Sequence, residues 1–298
     1  MDERETQNRE MALMEQAAAW ILDADRLVIG IGSGLSAAGG LCYTDPALVR
    51  KWYPEYDQMG MHAIVDIQSL YWRLSPANRE KYWGFWARHI WHIRYEAACT
   101  QPYRDLFALA QGKTHFIITT NCDSQVDKAG FSKADIFAPQ GNYGYFQCSK
   151  PCTQEVYPNK ERVERMMRNM PDSFAVRPQD VPYCPQCGAP LVPNLRCDNA
   201  FVERPHLANW ERYERFIQEG TMQNTVFLEL GVGFNTPMII RYPFETLVNR
   251  FPSMRLIRIN DVYADVPQSI CKRSISIRAD LAQAMKDLRE LCAGSTSC

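Results

Sequence analysis

The sequence predicts an α/β fold: a Rossmann-like, doubly wound parallel sheet that carries a small zinc-binding module and a helical insertion. Three observations lead there. Short β-branched runs, apolar on both faces, alternate with amphipathic helical stretches, as in a parallel sheet covered by helices. The first such run, "RLVIGIGSGLSAAGG", passes directly into a glycine-rich turn and a helix start. Two stretches interrupt the alternation, one rich in Trp, Tyr and His, the other in Pro and paired Cys.

Taken in order, "ALMEQAAAWILDA" (12–24) places its apolar residues at helical spacing ahead of that first strand. Further strands are expected at "HFIITTN" (115–121), "ADIFAP" (134–139), "TVFLELG" (225–231), "RLIRIN" (255–260) and "SISIR" (274–278). Helices between them are expected at 102–111, 206–219, 237–251 and 279–292, which suits right-handed crossovers. The chain thus reads as one catalytic unit, 1–298, whose core takes approximately 12–43, 100–141 and 205–292, with a helical insertion at 44–99 and a zinc-binding module at 142–204. No internal repeat, low-complexity tract or long linker argues for separate modules.

With 46% hydrophobic and 22% charged residues, the composition is that of an ordinary globular protein. Lys and Arg (33) nearly balance Asp and Glu (34), and no dense basic block occurs, so neither nucleic acid nor a membrane surface is an expected partner. The start, "MDERETQNRE", is polar and acidic, unlike a targeting peptide, and no apolar run approaches the ~20 residues of a membrane span. A cytoplasmic location is expected. In a reducing compartment the eleven cysteines are read as buried hydrophobes or metal thiolates before disulfides.

Gly32-Ser33-Gly34-Leu35-Ser36-Ala37 fits G-x-G-x-x-G/A after a strand, where missing side chains let the backbone approach a pyrophosphate. Tight strand-to-helix turns use the same glycines without a ligand. No acidic residue closes a second strand ~20 positions on, where a dehydrogenase holds its ribose, which argues against hydride transfer. Cys148-x-x-x-Cys152 and Cys184-x-x-Cys187 supply four thiolates at spacings that suit tetrahedral, structural zinc, with Cys197 as a spare. Asn121 and Asp123 stand at the carboxyl end of a strand, where open α/β folds bind ligands, although Asp123 also suits a helix cap. His89 and His92 share one face of a Trp-rich helix, which favours a core or rim position over a metal or acid–base role.

Together, the Gly-Ser-Gly-Leu-Ser turn, the Asn-x-Asp-x-x-x-x-x-Ala-Gly segment from Asn121 and the two cysteine pairs resemble the sirtuin family over about residues 12–290. The resemblance implies NAD as ADP-ribose donor and structural zinc. "LGVGFNTP" takes the place of the family's glycine-threonine-serine loop and "RIND" resembles its adenosine-binding segment, so Gly231, Val232, Asn235, Asn260 and Asp261 join Gly32, Ser33, Gly34, Ser36, Tyr43 and Asp123 as expected donor-binding residues. Two departures matter. Gly40-Leu41-Cys42-Tyr43-Thr44-Asp45 replaces the deacylases' Gly-Ile-Pro-Asp-Phe-Arg, and Gln140-Gly141 replaces their His-Gly. With "TTNCD", "QGNYGYFQCSKPC" and "NLRCDNAFVE", these resemble the class M branch. That branch implies ADP-ribosyl transfer to a lipoylated glycine-cleavage-H-like protein, with macrodomain-hydrolase and lipoate-ligase partners.

The chemistry of glutamine agrees. Deacylation needs a base with a pKa near the working pH, and an amide has none; it only donates and accepts hydrogen bonds. Losing a general base typically costs about 100- to 10,000-fold, which silences the second half of deacylation but spares nicotinamide departure. Asn121, Gln140 and Arg196 are the expected catalytic residues, the first two holding ribose hydroxyls and the arginine positioning the acceptor. A lysine deacylase using another base and a non-catalytic NAD or ADP-ribose sensor are the alternatives.

Overall fold

The computed structural model describes the backbone of residues 3–294 and the side chains of residues 8–294; residues 1–2 and 295–298 of the expected 1–298 unit lie outside the described residues. Helix α1 (Glu3–Asp23) buries Met14, Ala17, Ala18 and Ile21, one stripe at three- and four-residue spacing, and leads into β1 (Arg26–Ile31). A short helix, α2 (Ser33–Ala38), follows the glycine turn. The insertion is helical: α3 (Pro46–Trp52), started by the Asp45 carboxylate accepting from the Ala47 amide, then α4 (Pro54–Gln58), α5 (Ile64–Leu70) and α6 (Arg79–Ile90). Helix α6 runs on as a π-helical turn over Trp91–Glu96.

The core resumes with α7 (Gln101–Ala110), β2 (Thr114–Thr119), α8 (Gln125–Ala129) and β3 (Ile136–Phe137). The cysteine-bearing stretch folds as β4 (Gly141–Cys148), β5 (Tyr157–Pro158), α9 (Lys160–Asn169) and β6 (Leu191–Leu195), an antiparallel sheet in the order β5-β4-β6. Then come α10 (Arg204–Glu219), β7 (Thr225–Leu230), α11 (Arg241–Arg250), β8 (Met254–Ile259), β9 (Ser274–Ile277) and α12 (Leu281–Gly294).

The main sheet is parallel throughout, in the order β3-β2-β1-β7-β8-β9. One face packs Leu27, Ile29 and Leu228 against α1, α7 and α12; the other packs Val28, Phe227 and Leu256 against α10 and α11. Two expectations were too generous. The strand expected over 134–139 shortens to two residues, because the Ser132 hydroxyl caps a 3-10 turn over Lys133–Asp135 and Pro139 has no amide to give a ladder. The helix expected from 237 begins at Arg241, since Thr236–Ile240 turn along the sheet rim instead.

The two interrupting stretches share one core. Phe146, Val163, Met166 and Leu191 of the cysteine-bearing stretch pack with Trp83, Phe85, Trp86 and Ile90 of the insertion, and the Phe146 and Trp83 rings meet at 4.7 Å. Neither stretch alone has the apolar volume to bury such rings, and each fully buried side chain contributes about 1.5–3 kcal/mol once both are present.

Candidate active site

The strand order reverses around β1, whose neighbours β2 and β7 carry the chain off in opposite directions. A crevice at the carboxyl ends of these strands follows from that topology. At its base the glycines are demanded by protein packing. A Cβ on Gly32 would lie 2.4 Å from the Gly231 carbonyl oxygen, and one on Gly34 would lie 2.7 Å from the Gly231 Cα, so the turn after β1 and the turn after β7 touch backbone to backbone. Of the two uses open to these glycines, approach to a pyrophosphate and a tight turn without a ligand, the close contact of the two strand-end turns accounts for them through packing.

Asn121 follows β2 and its side-chain orientation is locked. Its Nδ2 donates to the Gly32 carbonyl at 2.9 Å, to Ser36 Oγ at 3.1 Å and to Tyr103 Oη at 3.0 Å. The two Nδ2 protons are shared among these three acceptors, and Oδ1 has no partner among the described residues. Ser36 in turn donates to Asp123 at 2.6 Å, and the other Asp123 oxygen accepts the Gln125 amide at 2.9 Å. Helix α8 is capped at Ser124, so Asp123 is a cleft residue whose second oxygen closes a turn onto the first helical amide. Burial pushes its carboxyl up, against the pull of these two hydrogen bonds.

Gln140 sits between β3 and β4, held by its backbone: its carbonyl accepts the Arg196 amide at 3.0 Å. Gly141 makes this approach possible at φ +102°, since a Cβ there would strike the Asn194 carbonyl at 2.1 Å. The Gln140 side chain lines the cavity with no hydrogen bond to any described residue. Arg196 lines the same cavity, yet its guanidinium is engaged, donating to the Pro139 carbonyl at 3.0 Å and to Glu203 at 2.7 Å while lying 4.5 Å from the Phe201 ring. Half-exposed, that ion pair contributes at most about 1 kcal/mol and leaves the arginine free to exchange partners.

Two cavities form one cleft, sharing Ser33, Asn121, Cys122, Tyr143 and Asn235. The larger, about 440 Å³, adds Gly34, Ser36, Tyr43 and Asp123; the smaller, about 290 Å³, adds Gly32, Gln140, Arg196 and Val232. The structure leaves three expected residues off its walls. Gly231 packs against Gly34, Asn260 is buried with its amide on the Val232 carbonyl, and Asp261 is exposed beyond the rim. Tyr103, Tyr143, Thr120 and Trp72 were missed. Trp72 lies in a turn of the insertion, and Tyr103 on the apolar face of α7; neither sits in a motif, so only the fold brings them in.

No histidine lines the cleft among the described residues. Burial pushes the Cys122 thiol and the Tyr43 and Tyr143 hydroxyls up, and holds His89, behind the wall, down to about 3. His89 is fully buried, with Nε2 at 3.2 Å from Tyr143 Oη and Nδ1 at 3.4 Å from Tyr53 Oη. His92 stacks on Trp52 and pairs with Glu96, one turn on, at 2.7 Å. Both histidines are structural.

A pH dependence follows. His89 is depressed from about 6.5 to about 3, so between those values only the unfolded chain takes up its proton. That share of stability is complete above pH 6.5 and falls by about 1.4 kcal/mol per pH unit as the medium is acidified. The urea midpoint should therefore drop between pH 7 and pH 5 more in the wild type than in His89→Gln; equal drops would contradict a neutral buried imidazole.

Cys148, Cys152, Cys184 and Cys187 converge with all four Sγ atoms within 4.8 Å of one another, and the 148–187 and 152–184 pairs at 3.6 Å. Tetrahedral Zn–S bonds of ~2.3 Å require sulfurs just under 4 Å apart, so the donor set fits zinc and leaves no open position. Cys197 stands away, on the cleft wall.

No family model matches the chain. A protein of Staphylococcus aureus (strain Mu50 / ATCC 700699) named "Protein ADP-ribosyltransferase" is 29% identical over 263 residues, 87% of this chain and 82% of that one. A Fusarium oxysporum f. sp. cubense protein named "Probable bifunctional ADP-ribose hydrolase/ADP-ribosyltransferase" is also 29% identical over 263 residues, 85% of this chain but 43% of its own length. Among solved structures, a Sir2 homologue mutant in complex with ADP-ribose superposes with a TM-score of 0.62 at 18% identity, covering 100% of this chain and 98% of the other. A Sir2 homologue–NAD complex gives 0.59 at 16% identity, covering 95% of each. The chain has the Sir2 fold; no described helix is long and apolar enough to cross a membrane.

Proposed function

We propose that this sirtuin-type ADP-ribosyltransferase takes NAD in the cleft below Asn121 and Gln140 and passes its ADP-ribosyl group to an acceptor protein. NAD supplies an anomeric carbon with nicotinamide as its leaving group; the bond to nicotinamide breaks as the acceptor's nucleophile bonds that carbon and gives up its proton. Asn121 Oδ1 and the Gln140 amide are the unpaired polar groups placed to hold ribose hydroxyls, and a fixed orientation of this kind is where such sites gain most of their rate. Ser33 serves the phosphate end while Ser36 holds Asn121 and Asp123 in place, and Arg196, by exchanging Glu203 for an incoming carboxylate, orients the acceptor.

The observation that carries transfer over deacylation is that the Gln140 amide, which has no proton to take up or give near neutrality, lines the cleft and that no histidine lines it among the described residues. The structural zinc is assigned to the four-cysteine cluster.

For the acceptor we infer a lipoylated glycine-cleavage-H-like carrier. A third cavity, about 400 Å³, adjoins the cleft at Trp72, Leu195 and Cys197. Trp72 and Trp86, stacked at 5.9 Å, line it with Leu74 and Val192, beside Arg73, Gln147 and Asp198, so it offers apolar surface to a slender arm together with polar groups for its end. Partner macrodomain and lipoate-ligase proteins and a cytoplasmic setting belong to the same reading.

Incubating the protein with adenylate-labelled NAD and lipoylated or unlipoylated carrier should label only the former, and Gln140→Ala should lower that labelling by about 10- to 100-fold. Equal labelling of both carriers would remove the lipoyl arm from the account. Release of free lysine from acyl-lysine peptides at a comparable rate would favour the deacylase instead.

A further inference from the structure

The turn that closes the cleft after β7 rests on a knot of four charges, three of them buried (Glu229, Arg241 and Arg258) and one, Glu245, partly exposed. Glu229 on β7 lies in register with Arg258 on β8, and the pair is bidentate at 2.8 and 2.9 Å. Glu245 of α11 meets Arg258 at 2.8 Å, and Arg241, which opens α11, faces Glu229 at 3.6 Å and Glu245 at 3.7 Å. Two charges of each sign balance. Buried ion pairs are seldom more stabilising than apolar residues of the same volume, so a knot this elaborate calls for another reason than stability.

The remaining guanidinium protons supply one. Arg258 donates to the Asp265 carbonyl at 2.7 Å, and Arg241 donates to the Tyr263 and Asp265 carbonyls, each at 2.9 Å. The Arg241 guanidinium also lies 4.5 Å from the Phe234 ring, whose own neighbour, edge-on at 5.1 Å, is Tyr263. Asn260 ties the two segments again, donating to the Val232 carbonyl and accepting the Val262 and Tyr263 amides. One guanidinium, itself 5% exposed as a side chain, thus grips both the turn that lines the cleft and the turn beside it.

We propose that Arg241 is a positioning residue for the donor: it holds residues 232–236 and 261–265 in one arrangement, so that Val232, Gly233, Asn235 and Thr236 already form the cleft wall when the ADP-ribosyl group arrives. A wall ordered before binding spares the ligand the entropy of ordering it. The proposal rests on the reading of the cleft as the donor site.

The test is calorimetric titration of the full-length protein with ADP-ribose, alongside nicotinamide release from NAD. The wild type should bind; no binding would overturn the donor-site reading and this inference with it. Arg241→Lys keeps the charge but cannot hold two carbonyls and a ring at once, and should weaken ADP-ribose binding roughly 10- to 100-fold. KM for NAD should rise in step while kcat stays within about threefold, a split that general loss of stability does not produce. Phe234→Leu, at a half-exposed position that tolerates substitution, should weaken binding severalfold and decides the matter if the lysine variant does not fold. Wild-type affinity in both variants, or a fall in kcat with KM unchanged, would overturn the assignment.

Discussion

Asn121→Ala should lower nicotinamide release from saturating NAD by about 100- to 1,000-fold, the usual consequence of removing one preorganised polar group from the reacting centre. The size follows from how the side chain is held. Gly32, Ser36 and Tyr103 occupy all of its donating capacity, so Oδ1 is aimed by the protein before any ligand arrives. Alanine removes both the aimed oxygen and the tie between the turns after β1 and β2. Asn121→Asp separates the two: it keeps an oxygen in place but cannot donate to Gly32, and it adds a negative charge next to Asp123. Release should then fall comparably. Chromatography of nicotinamide formed per hour measures both variants, with a thermal melt to show that they remain folded. Release within threefold of wild type in the alanine variant would remove Asn121 from the reacting centre.

The second large effect is on stability. Stripping the metal with a strong chelator, or replacing Cys184 with Ser, should melt the β4–β6 sheet and the aromatic core it shares with the insertion. Structural zinc sites in small modules contribute roughly 10–16 kcal/mol of apparent binding free energy, comparable with the whole stability of a domain. Phe146 and Leu191 would leave this shared core, and Trp83 and Trp86 would be left facing water. Tryptophan fluorescence should shift to the red as one zinc per chain is released to a colorimetric indicator, and labelling of the acceptor should vanish, because Gln140 and Arg196 flank this sheet. Unchanged fluorescence with no zinc released would show that the four thiols are a packing feature only.

The strands of the main sheet were readable because each is apolar on both faces, a pattern that a covered parallel sheet imposes and a surface strand cannot carry. The four thiolates were readable because zinc needs them paired at short spacing. Gln140 was readable as a base that is missing. The extent of the strand at 136–137 was not, since a capped turn and a proline at an edge outweigh local β propensity. The His92–Glu96 pair stands at ordinary i,i+4 spacing, and only the structure shows that the two side chains meet.

Residue chemistry along the chain therefore settled the fold class and brought out the four cysteines whose cluster fits zinc, for these depend on patterns within a few tens of residues. Contacts across long sequence separations settled the rest: glycines spent on Gly231, Tyr103 brought to Asn121, and one aromatic core divided between two stretches. Such pairings are chosen by which buried surfaces fit and which buried polar groups find partners, and neither is written in the spacing of residues on a single element.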